Sequence, residues 1–182
     1  MTFDDGDGRF DLEEVDAFAE AAHAGQTRFS GRPYIEHPRA VRAILEDELP
    51  EPVDDVTLAV ALLHDVLEDC DVHPRVLKER YGTQVQEGVT LLSWGLKALG
   101  IDRDARIYWS GIRRGPRLVR LVKAADRINN VRESIAEGDR DMMRRYLEET
   151  DQELLPILRE TGEEWLVERL EELMREMREQ GG

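Results

Sequence analysis

The chain has 182 residues, enough for one domain with a real core and too few for two large ones. Its 40 acidic residues against 25 basic ones give a formal net charge of −15, which excludes a general nucleic-acid binder because condensed phosphates repel such a surface. The single Cys70 excludes an internal disulfide, and with neither a charged-then-apolar leader nor an apolar run of the roughly 20 residues that span a bilayer, we expect a soluble protein of the reducing cytoplasm with no membrane partner.

Leu12, Val15, Phe18 and Ala22 recur at helical spacing and predict an amphipathic helix over Asp11 to Ala24, stopped near Gly25. Gly31, Pro33 and Pro38 mark 25–37 as a loop, and Pro38 suits the first position of a helix to about Asp47, which puts His37 at the junction. A third helix, capped by Asp54 or Asp55, carries Val56, Leu58, Val60, Ala61, Leu63 and Leu67 inward and reaches Asp69; it is expected to be central. Pro74 opens a short helix that Gly82 can end, and Thr83 caps another through Leu96. A short helix over Asp104 to Ile112 and a longer one from Pro116 follow, the latter with Asp126 and Asn130 one turn apart. Thr161-Gly162-Glu163-Glu164 reads as a capping box ahead of Trp165, Leu166, Leu170 and Leu173. No segment shows strand alternation, so the fold class is all-α: a helical bundle with additional C-terminal helices.

Chemistry concentrates in Ala61-Leu62-Leu63-His64-Asp65-Val66-Leu67-Glu68-Asp69, where four ionisable groups interrupt an apolar run that a packing helix would leave intact. Adjacent helical residues diverge by about 100 degrees, so His64 and Asp65 can share an ion only if it lies close against the helix, and other elements must complete its shell. His37 and Asp126, each a polar group beside strongly apolar neighbours, are the best candidates. Two imidazoles and two carboxylates favour Mn²⁺, Fe²⁺ or Zn²⁺ over a Ca²⁺ cage, with Mn²⁺ the first choice. Glu68 and Asp69 lie one turn beyond the pair and suit proton transfer. Residues 103–132 carry nine Arg and Lys against Asp104 and Asp126, a basic stripe in an acidic protein; Arg113, Arg114, Arg117 and Arg120 either line a phosphate entrance or pair with the acidic tail. His23 reads as structural, His73 as a solvated or capping group, and Trp94, Trp109 and Trp165 as packing residues.

His37-Pro38, the Leu62–Asp69 run and Lys123-Ala124-Ala125-Asp126-Arg127-Ile128-Asn129-Asn130, together with Ala22-His23-Ala24-Gly25-Gln26-Thr27-Arg28 and Pro33-Tyr34-Ile35-Glu36-His37-Pro38, resemble the HD-domain phosphohydrolases, specifically the hydrolase domain of RelA/SpoT alarmone enzymes and their small stand-alone relatives. The resemblance covers about 12–135, leaving about 136–182 as a helical extension of one HD-type domain spanning 1–182. It implies one Mn²⁺ held by His37, His64, Asp65 and Asp126, assistance from Glu68 and Asp69, and hydrolysis of the 3′-pyrophosphate of (p)ppGpp. It also implies Arg28 beside the guanine, Asn130 near the ribose or phosphate, and Lys123 and Arg127 supporting the site from their helix.

Several positions depart from the family pattern. Phe29 replaces a common lysine, Glu133 stands where a hydroxyl often helps the nucleotide, and Cys70 replaces a common threonine. These touch substrate recognition rather than the metal shell. A phosphatase acting on a nucleoside monophosphate or NADPH, and a regulatory nucleotide-binding module of low turnover, are therefore the alternatives; a di-iron oxidase would need more ligands than four histidines provide.

Overall fold

Helix α1, Leu12–Ala22, starts where Asp11 accepts from the Glu13 backbone N–H at 3.0 Å, satisfying one of the donors that a helix start leaves free. It belongs to a computed structural model that describes residues 10–181; the expectation about a leader falls on residues 1–9, outside the described ones. Helix α2, Glu36–Asp47, begins earlier than Pro38 predicts, so His37 lies inside its first turn and is buried. Helix α3, Asp55–Leu63, is capped by Asp54, which accepts from both the backbone and the hydroxyl of Thr57.

Every residue of α3 from Thr57 to Leu63 is buried, and the helix packs on α1, α2, the helix over Pro74–Leu92 (α5) and the helix over Arg117–Glu137 (α7). Burying each large aliphatic side chain there contributes about 1.5–3 kcal/mol, so Leu62→Ala would cost about 2–5 kcal/mol. The central position is as the apolar run predicts. The predicted continuity is not: the helix stops at Leu63, His64 and Asp65 form a turn, and a short helix α4, Val66–Asp69, follows. His64 Nδ1 lies 2.7 Å from the Ala61 carbonyl oxygen, and Asp65 adopts φ −96 and ψ −7, off the helical centre.

Gly82, at φ 88 and ψ 174, kinks α5 where its sequence predicts a boundary between two helices. The second half ends at Leu92 rather than Leu96, because Gly95–Leu96 (β1) and Ile101–Asp102 (β2) pair as a two-residue antiparallel ladder that no alternation announces. A Cβ on Gly95 would lie 2.8 Å from the Ile101 carbonyl oxygen, so glycine permits this close approach. Helix α6, Ala105–Arg114, then leads to α7, whose two sides meet α2 and the last helix.

Helix α8, Arg140–Glu149, passes through a π turn, Thr150–Leu154, into α9, Leu155–Glu160. Pro156 lacks the N–H that a regular ladder needs at this point. Helix α10, Glu164–Gly181, starts where predicted, but without the capping box. Thr161 instead ends α9, donating to the Ile157 carbonyl at 2.9 Å, Gly162 turns at φ 76, and Glu163 binds Arg117 through both oxygens at 2.9 and 3.0 Å. Among the described residues no helix is long and apolar enough to cross a membrane.

Candidate active site

The break between α3 and α4 turns His64 and Asp65 toward one point, with Nε2 and Oδ2 3.1 Å apart, although neighbours on a continuous helix would diverge. Helix α2 brings His37 to the same point from its first turn, and α7 brings Asp126 from its middle. His37 Nε2 stands 3.2 Å from His64 Nε2, 3.3 Å from Asp126 Oδ1 and 3.6 Å from Asp65 Oδ2. His37, His64 and Asp126 are all buried, and each offers one donor atom within 4.8 Å of the others.

Donors at about 2.1 Å from a common ion sit roughly 3–3.5 Å apart, so this nitrogen and oxygen set fits a divalent transition metal. Nδ1 of His64 faces a carbonyl and so carries its hydrogen there, which leaves Nε2 free to ligate. Charge agrees with geometry. Burial disfavours the charged imidazole of His64, but Asp65, Asp126 and the Ala61 carbonyl outweigh it and lift the pKa to about 9. Burial likewise opposes ionisation of Asp65 and Asp126, yet His64 holds the first below the usual carboxylate range and Lys123 holds the second well below it. A site that attracts a proton this strongly also attracts a cation.

Asp69 and Asp65 share the hydroxyl of Tyr34, at 2.8 and 2.7 Å. Glu68 accepts from the Trp94 backbone N–H at 2.8 Å, at the base of the β-hairpin, and feels the charges of Asp65, Asp69 and Lys123. Burial and the neighbouring carboxylates push both Glu68 and Asp69 above the ordinary range of their carboxyls. These two groups therefore flank the cluster with raised proton affinity.

The remaining predicted residues divide. Arg28 and Asn130 face one another, the guanidinium donating to Asn130 Oδ1 at 2.7 Å, while Asn130 donates to Asp126. Lys123 pairs with Asp126 Oδ2 at 2.8 Å, leaving Oδ1 for the imidazoles. Arg127 points away, binding Glu149 at 2.6 Å with its guanidinium over the Tyr146 ring. Two residues that sequence reasoning assigned no role belong to the network, Tyr34 and Asn129, whose amide lies 2.8 Å from His37 Nδ1; Glu133, singled out there only as a departure from the family pattern, joins it by binding Arg28 and accepting from Asn129 at 3.1 Å. Tyr34 and Asn129 lie inside the quoted motifs, so their position was the available signal.

A pocket of about 340 Å³ adjoins this network, lined by Arg28, Phe29, Tyr34, Asn130, Glu133 and Tyr146 among others. A larger hollow of about 770 Å³ lies between α8 and α10, and none of the ligand cluster borders it. The basic stripe resolves mainly into structural pairs: Arg113 binds Glu160, Arg117 binds Glu163 and Arg132 binds Glu48. His23 stacks on Tyr34, His73 accepts from Arg75 N at the start of α5, and Trp94 stacks on Tyr108.

Residues 16–95 match the family model of the HD domain. Its sequence and fold resemble the RelA/SpoT-type enzymes. It is 38% identical over 168 residues to the guanosine-3′,5′-bis(diphosphate) 3′-pyrophosphohydrolase of Vibrio cholerae, covering 89% of this chain and 23% of that protein. The protein of the same name from Haemophilus influenzae is 35% identical over 172 residues, covering 85% of this chain and 23% of that protein. The GTP pyrophosphokinase rsh of Brucella ovis is 32% identical over 168 residues, covering 89% and 22%. The chain thus spans under a quarter of these relatives' length. A solved structure described as a metazoan ortholog of SpoT that hydrolyzes ppGpp superposes with a TM-score of 0.75 at 26% identity, covering 90% of this chain and 93% of that one.

Proposed function

We propose that this chain is a divalent-metal-dependent phosphohydrolase that removes the 3′-pyrophosphate from (p)ppGpp or a close guanine nucleotide in the cytoplasm. The observation that carries the proposal is the convergence of His37, His64, Asp65 and Asp126 beside two carboxyls of raised proton affinity, with a pocket next to them. The names borne by the relatives and by the similar solved structure supply the substrate class.

His37, His64, Asp65 and Asp126 would hold the metal, which we assign as Mn²⁺ because imidazole and carboxylate are mixed and no thiolate is at hand. When bound, such an ion supplies Lewis acidity that acidifies a water and offsets phosphate charge. Glu68 and Asp69 take up and return the proton, and the Tyr34 hydroxyl and Trp94 N–H fix where each carboxyl points. Arg28 and Asn130 line the pocket on the side we assign to base and ribose, Lys123 holds the Asp126 carboxylate on α7, and Arg127, turned away to Glu149, braces α7 against α8. We read the motif-bearing core and the C-terminal helices as one hydrolase unit, since α7 packs against α2 on one side and α10 on the other.

The test is product analysis of Mn²⁺-loaded protein incubated separately with ppGpp, GTP, NADPH and nucleoside monophosphates, with Asp65→Ala as the blank. Pyrophosphate and GDP from ppGpp alone are the expected products. Orthophosphate from another nucleotide replaces the substrate, and binding without turnover replaces the enzyme by a nucleotide-binding module.

A further inference from the structure

Helix α4 is only four residues long, Val66–Asp69, too short to hold itself, and the carbonyl of its last residue has no acceptor role within the helix. Side chains from two distant segments meet that carbonyl instead. The Gln26 amide nitrogen donates to the Asp69 oxygen at 3.1 Å, and Lys97, between β1 and β2, donates to it at 2.7 Å, so both lone pairs are used.

The other end of the Gln26 amide fixes its orientation. Oε1 lies 2.8 Å from Nδ1 of the buried His23, and because an amide oxygen only accepts, that ring nitrogen carries the hydrogen and Nε2 of Gln26 is turned to Asp69. Cys70 Sγ, 3.8 Å from the same nitrogen, is a weak acceptor and competes little with a carbonyl. Gln26 also holds Tyr34: its main-chain oxygen accepts from the Tyr34 N–H at 3.0 Å, and the His23 ring stacks on the Tyr34 ring. Since the Tyr34 hydroxyl reaches Asp69 Oδ2, three contacts close a ring through Gln26, Tyr34 and Asp69.

On the reading that Asp69 moves a proton in a hydrolase, we propose that Gln26 is a positioning residue, which caps the C-terminus of α4 from the loop before α2 and so sets where the Asp69 carboxyl points. Tyr34 by itself steers the carboxyl on a main chain free to drift with a one-turn helix. The Gln26 bond ties that main chain to the segment that carries Tyr34, so carboxyl and backbone are referred to one loop.

The test compares the Mn²⁺-loaded full chain with Gln26→Met, which keeps the length and removes the donor. Hydrogen exchange read by mass spectrometry should rise about 10-fold in a peptide over 66–70, where the Asp69 and Cys70 amides bond back into α4, and stay unchanged over 57–63 in α3. In parallel, kcat for ppGpp should fall about 10-fold with KM unmoved. Should Gln26→Met fail to fold, Gln26→Glu keeps the oxygen that His23 meets, sets a second oxygen against the Asp69 carbonyl and should give the same two results. Exchange over 66–70 that does not change, or that rises together with that over 57–63, overturns the cap. Selective release of α4 with kcat unmoved overturns the positioning role. If the unaltered protein leaves ppGpp intact while α4 is selectively released in the variant, the hydrolase reading fails and the cap stands.

Discussion

The Tyr34 hydroxyl sits 2.7 Å from Asp65 Oδ2 while also reaching Asp69, so one phenol from the loop before α2 ties a carboxylate of the proposed metal shell to a carboxyl proposed for proton transfer. Burial and the two aspartates keep the phenol far above its ordinary pKa, and it remains a donor. Tyr34→Phe removes that donor with little change of shape. We expect turnover to fall about 10-fold or more with metal stoichiometry retained, as for other residues that orient a ligand from behind. Steady-state kinetics with metal analysis checks this, and unchanged kcat would remove Tyr34 from the mechanism.

Asp65→Ala should abolish both bound metal and hydrolysis. In the unaltered protein, stripping the metal with a chelator should lower the melting temperature, because a ligand held at about 100 times its Kd stabilises the folded state by about 2.7 kcal/mol. The same chelator should leave the melting temperature of Asp65→Ala unmoved. A variant that keeps one metal per chain would show that the remaining three groups suffice.

Glu68→Gln should preserve the metal and slow the chemical step by about 100-fold or more. Burial raises the proton affinity of this carboxyl, so its basic form appears only above the ordinary glutamate range. The acid limb of the pH profile of kcat should therefore lie displaced toward neutrality. Losing that limb in Glu68→Gln identifies its source, whereas a limb that persists assigns it to Asp69.

The Arg127–Glu149 pair offers a prediction about stability. Arg127 is buried at 3% side-chain exposure, so Glu149→Gln leaves a buried charge short of its partner and should cost about 2 kcal/mol at pH 7. Burial opposes ionisation of Glu149, but Arg127 outweighs it and holds the folded-state pKa below the ordinary value. The stabilisation is then complete above the unfolded pKa of about 4.3 and is lost as pH falls through the lower folded value. Urea unfolding at pH 7 and pH 3 should show the gap between the two proteins closing in acid.

Periodicity and punctuation made most helices legible, since Pro74, Gly82 and Pro116 act within one turn of the chain. The turn at His64 and Asp65 was not, because Val66 and Leu67 continue the apolar pattern and its cause is a side chain reaching back to the Ala61 carbonyl. The hairpin escaped because two-residue strands are too short to alternate. At Thr161 the box motif is present in letters, but Glu163 is taken by Arg117 from a distant helix, a competition that local sequence does not contain. The clustered His37, His64, Asp65 and Asp126 were readable as polar interruptions of apolar runs; the contacts of Asn129 and Glu133 depend on which helix faces meet, which spacing along one chain does not reveal.

The two-residue ladder carries a last implication. Its backbone crosses so closely at Gly95 that any side chain there must push Ile101 away, and the residue before it, Trp94, presents its amide to Glu68, 26 positions earlier. A methyl group at position 95 would thus act at a distance, swinging an amide and freeing the carboxyl it aims, so a glycine in the hairpin sets the alignment of the carboxyl proposed to move the proton.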